Sequence, residues 1–125
     1  QGALKNISDR VNQSTRLKMG FQTFGLNGKL DNLIENTLFR TIQEIVNNTI
    51  KHSQASELNI HIAQGSSEIT LIAEDNGRGF DAADIEHSGS GLANMKSRIE
   101  NLKGSLFIDS NSKRGTIISI LIPLN

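Results

Sequence analysis

Asp75-Asn76-Gly77-Arg78-Gly79 ends an apolar segment with a carboxylate and sets glycines two and four positions further on. An ionised carboxylate only accepts hydrogen bonds. Asp75 would therefore choose a ligand N–H, and among bases the exocyclic amine of adenine over the keto oxygen of guanine. Glycine has no Cβ, so Gly77 and Gly79 let a ligand lie against the main chain. The structural alternative is a turn in which Asp75 bonds its own backbone. Gly89-Ser90-Gly91 opens a segment of helical pattern. Free N–H groups and a partial positive charge at a helix start can hold a phosphate. By itself such a stretch is more often a plain loop. Asn94 stands where a dinucleotide fingerprint has its third glycine, and Leu30 follows Gly28-Lys29 where a P-loop needs Ser or Thr.

Glu44, Asn48 and Lys51 recur at i, i+4 and i+7. An amide oxygen is a reasonable ligand for Mg²⁺, which keeps several waters and takes few protein ligands. A carboxylate one turn earlier can polarise a hydroxyl, water or imidazole near a γ-phosphate, and Lys51 is a point charge for phosphate. A solvated helix face is the alternative.

The elements that must position these groups follow from periodicity. Residues 32–52 predict the strongest helix, with Asn32 as N-cap and Glu35 as its capping-box partner. Leu38, Ile42, Ile45, Val46, Thr49 and Ile50 form its core stripe. The Glu44–Asn48–Lys51 stripe lies roughly 150–200° around from it, on a polar face. Residues 15–24 alternate as a strand, and GLNGK at 25–29 is a turn. Leu58, Ile60 and Ile62 mark a second strand, Gln64-Gly65-Ser66 a hairpin turn, and 67–74 a third strand. Residues 80–90 predict a mobile loop. A helix is expected from Gly91 to Leu102, ended by Gly104, then a strand from Ser105 to Asp109, a turn at Asn111–Gly115, and a strand from Thr116 to Ile122, ended by Pro123. Leu4, Ile7 and Val11 suggest that residues 1–14 are a short helical remnant or linker before one domain over 15–125. Helices gathered on one face of a mostly antiparallel sheet give an α+β, two-layer sandwich.

Composition narrows the function. The 125 residues suit a single domain, and 36% hydrophobic with 21% charged residues reads as ordinary globular protein. Thirteen basic residues balance thirteen acidic ones, against a nucleic-acid module carried by bulk charge. The absence of Cys excludes disulfides and zinc ribbons. No apolar run approaches the roughly 20 residues of a membrane span and no signal peptide is visible, so a cytoplasmic domain is expected. With five Phe and neither Trp nor Tyr, the core must be aliphatic. His52, His61 and His87 lack the spacing and carboxylate pattern of a metal site; His61 is expected on a strand surface.

EIVNN and KH within 44–52, DNGRG at 75–79, GSGLANM at 89–95 and GT at 115–116 stand in one order. In that order, over residues 15–124, the chain resembles the ATP-binding catalytic domain of sensor histidine kinases, in the superfamily shared with DNA gyrase B, Hsp90 and MutL. QEIVNNTIKHS is most similar to the nitrate-sensor and DesK-like group, whose response regulators carry a helix-turn-helix output domain. The resemblance implies the Bergerat ATP-binding fold, with a mixed, mostly antiparallel sheet, and ATP and Mg²⁺ as cofactors. It makes Asn48 the Mg²⁺ ligand and Glu44 the general base or orienting group. Lys51 and His52 would contact phosphates and nucleotide; Asp75, with Gly77 and Gly79, would read adenine. Gly89, Gly91 and Leu92 would lie at the phosphates, residues 80–90 would be the ATP lid, and Thr116, beside Gly115, would supply a hydroxyl near adenine. The lid is short, and Phe80 is its one aromatic. No His precedes His52, so the phosphoacceptor histidine would belong to a separate dimerisation domain, with a response regulator downstream. This domain alone would be a monomer, and an inner-membrane anchor, if the parent has one, would lie outside it. A nucleotide-binding regulatory module without phosphotransfer, and a serine kinase of the anti-sigma-factor type, are the competing readings.

Overall fold

A computed structural model describes residues 17–26, 30–50, 55–77, 92–111 and 115–124. The expected N-terminal helix and the 80–90 loop lie outside the described residues. The element order is β1 (Lys18–Phe24), α1 (Asn32–Asn48), β2 (Glu57–Gln64), β3 (Glu68–Asp75), α2 (Leu92–Asn101), β4 (Ser105–Asn111) and β5 (Gly115–Pro123). They build an α+β sandwich around a five-stranded mixed sheet ordered β1-β2-β3-β5-β4. β1 and β2 pair in parallel, which needs a crossover connection, and α1 lies in it. The other three pairings are antiparallel.

Strand alternation decides which side the helices cover. Leu58, Ile60 and Ile62 on β2, Ile69, Leu71 and Ala73 on β3, and Ile118, Ile120 and Ile122 on β5 are all buried. Every second residue in each strand points to one face, so these form one apolar floor. Leu38, Ile42, Ile45 and Val46 of α1, with Leu92, Met95 and Ile99 of α2, close over it in one core cluster. No aromatic ring is among its buried side chains. Ile72, Phe107, Ile117 and Leu121 stay exposed, and the strand alternation puts them on the other face.

Two expectations need correction. The α1 cap is Asp31, whose Oδ1 accepts from the Leu33 N–H at 2.8 Å, not Asn32. A side chain caps from the residue before the first helical turn, and Asn32 is already inside it. Ile50 is exposed, because the core stripe ends at Thr49. Thr41 and Thr49 are buried without penalty, since their hydroxyls donate to the Thr37 and Ile45 carbonyls. Gly104 follows the end of α2 as expected, and the left-handed residue there is Lys103, φ 63°. Gly104 donates to the Ile99 carbonyl at 3.0 Å. It is small for another reason: a Cβ there would lie 2.5 Å from the Leu121 carbonyl oxygen of β5. Smaller shifts at strand ends bring Asp75 into β3 and Gly115 into β5.

Candidate nucleotide-binding site

At one end of the inner sheet face the aliphatic floor gives way to polar residues. Asp75 continues the Ile69-Leu71-Ala73 face of β3, and Thr116 continues the Ile118-Ile120-Ile122 face of β5. The register sets the two opposite each other, and both are buried. The Gly77 N–H donates to Asp75 Oδ1 at 2.8 Å, and the Thr116 N–H also faces the carboxyl. Burial nevertheless raises the Asp75 pKa above its ordinary 3.8, and these two donors only partly offset it. The turn reading therefore applies, and Asp75 still has acceptor capacity left over.

Neighbouring contacts hold this carboxylate. Thr116 Oγ1 and Ser110 Oγ are 3.0 Å apart. Gly115 adopts φ +102°, and a Cβ there would meet the Asp75 carbonyl oxygen at 2.1 Å and the Gly77 nitrogen at 3.0 Å. The start of β5 thus closes onto the Asp75–Gly77 turn in a conformation open only to glycine. Asn76 ties the turn to β2. Its Oδ1 accepts from the Ser56 and Glu57 N–H groups at 2.9 and 3.0 Å, and its Nδ2 donates to Ser56 Oγ at 2.9 Å. Nothing in the sequence singles out this clamp, because Ser56 and Asn76 are twenty residues apart.

The second group sits on the helices. Glu44 and Asn48 are one turn apart on α1, as predicted, but not on a solvated face. Asn48 is 9% exposed, and its Nδ2 is buried with no hydrogen-bond partner among the described residues. The Glu44 side chain is 25% exposed; its Oε1 meets Arg98 of α2 at 2.9 Å and Arg40 Nε at 3.5 Å. Helix α2 packs beside α1, and its Arg98 meets Glu44 on the face that helical arithmetic alone assigns to solvent. Arg98 was not among the predicted site residues. Its signal is its place at the border of the Leu92-Met95-Ile99 stripe, where a long cation can lie along a neighbouring helix.

Leu92 begins α2 and is buried in the core, a packing position. Lys51, His52, Gly79, Gly89, Gly91 and the lid with Phe80 and His87 lie outside the described residues. His61 is half-buried on β2, on the sheet face away from the core. No group of three His, Cys, Asp or Glu side chains placed to hold a metal occurs among the described residues, and no described helix is long and apolar enough to cross a membrane.

Asn48 Nδ2 is a buried donor with no acceptor among the described residues, so it is able to donate to an acceptor oxygen of a ligand. With Asp75 as an acceptor at the sheet end, these groups fit a nucleotide that both donates and accepts hydrogen bonds.

Comparison with known proteins agrees. Residues 33–125 match the family described as histidine kinase-, DNA gyrase B-, and HSP90-like ATPase, and the chain belongs to that family. It is 34% identical over 97% of its length to the signal transduction histidine-protein kinase/phosphatase DegS of Brevibacillus brevis, and 36% identical over 88% to DegS of Bacillus subtilis strain 168. It spans only 31% and 30% of those relatives. The blue-light activated histidine kinase of Erythrobacter litoralis EL346 shares the fold, with a TM-score of 0.80 over 97% of this chain and 40% of that one, at 18% identity.

Proposed function

We propose that this chain binds Mg-ATP and presents its γ-phosphoryl group to a histidine on a separate dimerisation domain, as the catalytic domain of a two-component sensor kinase. The observation that carries the reading is Asp75. It is a buried carboxylate whose ionisation burial opposes, at the end of a sheet face that is otherwise aliphatic along β3. Such a group is retained for a ligand that donates to it, and adenine's amine does. Asn48 would hold Mg²⁺ through its amide oxygen; the ion would neutralise phosphate charge when bound. Glu44 would orient the acceptor imidazole or take its proton. Lys51 and His52, with Gly79, Gly89 and Gly91, complete the proposed nucleotide contacts, and residues 80–90 the proposed lid. Transfer then depends on docking of two domains, with a response regulator downstream.

Calorimetric titration with ADP and a non-hydrolysable ATP analogue, with and without Mg²⁺ and with GTP as control, tests the pocket. Adenine-selective, Mg-sensitive binding is expected. A phosphoacceptor-histidine domain added in trans with ATP should gain acid-labile phosphate. Acid-stable phosphoserine on a partner, or nucleotide binding with no transfer to any histidine, would refute the kinase assignment.

A further inference from the structure

Glu44 is held from another helix. Arg98 Nη2 lies 2.9 Å from Glu44 Oε1, and the two side chains are 21% and 25% exposed. Arg40 reaches the same oxygen at 3.5 Å, but it is 69% exposed and one helical turn away, so water screens that contact. The other carboxylate oxygen, Oε2, is buried and has no partner among the described residues, as is Arg98 Nη1. A half-buried carboxylate would ordinarily use both oxygens. Here one is fixed by a charge-assisted bond and the other is left over, one turn from the unpartnered Asn48 amide.

We infer that Arg98 is a positioning residue for phosphotransfer: it pins Glu44 through Oε1, leaving Oε2 aimed for the acceptor group. The inference rests on the catalytic reading of Glu44 proposed above. It adds a connection between the helices, because Arg98 belongs to α2, whose first turn follows the glycines expected at the phosphates. The carboxylate's orientation thus depends on α2 being seated against α1. Lysine could supply the charge, but as a point charge on a flexible stem and not as a planar guanidinium with fixed N–H directions.

The test measures phosphotransfer to a phosphoacceptor-histidine domain in trans, at saturating Mg-ATP, for wild type, Arg98→Ala, Arg98→Lys, Glu44→Gln and the Arg98→Ala/Glu44→Gln double variant. ADP affinity and thermal unfolding are measured on the same samples. Arg98→Ala should lower the transfer rate by roughly tenfold or more while ADP affinity stays within about threefold, a loss in turnover and not in ground-state binding. Arg98→Lys should recover part of the rate. In the Glu44→Gln background, Arg98→Ala should cost less than about twofold further, since the two act as one unit. Full activity of a folded Arg98→Ala overturns the inference while leaving Glu44 catalytic. So does a loss of ADP affinity and rate together, or an Arg98 effect that multiplies with that of Glu44→Gln. Full activity of Glu44→Gln overturns both the inference and the catalytic reading beneath it.

Discussion

Replacing Asp75 by Asn changes one atom type and leaves the side-chain volume nearly constant. Two backbone N–H groups, of Gly77 and Thr116, face the Asp75 carboxyl. A carboxylate has about four lone-pair sites and can serve both while accepting from adenine. An Asn has one oxygen with two lone pairs. If that oxygen serves the turn, its NH₂ faces the adenine amine, donor against donor. A hydrogen bond to a charged acceptor contributes about 1.5–3 kcal/mol, so ADP affinity should fall roughly ten- to 150-fold. Stability should go the other way. Burial opposes the ionised carboxyl, so the neutral Asn should unfold at the same temperature as wild type or higher. Calorimetry with ADP and a melting curve on one preparation read both quantities. Affinity within about threefold of wild type in a folded variant would remove Asp75 from the site, because no charge-assisted bond is that weak. A large drop in melting temperature would mean that the carboxylate serves the fold and not a ligand.

The same group sets a pH dependence of defined sign. Its folded pKa lies above the ordinary 3.8, so its contribution to stability is fully present below that value and is lost as pH rises through the raised pKa. The stability advantage of Asp75→Asn should therefore grow from pH 4 towards neutrality, while wild-type ADP affinity should fall as pH drops through the same range, as parallel melting and binding series at stepped pH would show. Gly115→Ala places a Cβ against the Asp75 carbonyl oxygen at φ +102° and should cost at least about 1–3 kcal/mol, with nucleotide binding lost in whatever remains folded by denaturant titration. Asn48→Leu removes a buried donor that has no partner. It should leave urea stability equal or raised by up to about 1 kcal/mol and abolish the Mg²⁺ dependence of nucleotide affinity; a clear destabilisation would make Asn48 a packing residue. Lys103→Gly relieves a left-handed lysine and should stabilise by roughly 0.5–1 kcal/mol with ADP affinity unchanged.

Much of the molecule is local and therefore legible in the chain. Alternation of Ile and Leu along residues 58–62, 69–73 and 116–122 names the strands and their buried faces, because a pleat repeats every two residues. The spacing from Glu44 to Asn48 puts both on one side of a helix by the same kind of arithmetic. Asp75 with its glycines marks an acceptor at a close backbone approach. These are statements about neighbours in sequence, and for the strands and the Glu44–Asn48 helix face the structure agrees with them. It decides what depends on distant parts meeting. Whether Glu44 is solvated or paired depends on α2 lying beside α1, fifty residues later. Gly104 is required by the Leu121 carbonyl of another strand, and Gly115 by Asp75, forty residues earlier. Asn76 is a clamp only because β2 begins beside it, and Arg98 reaches Glu44 only once both helices rest on one sheet. Periodicity tells which side of an element is apolar; packing alone determines which polar groups are then taken out of water.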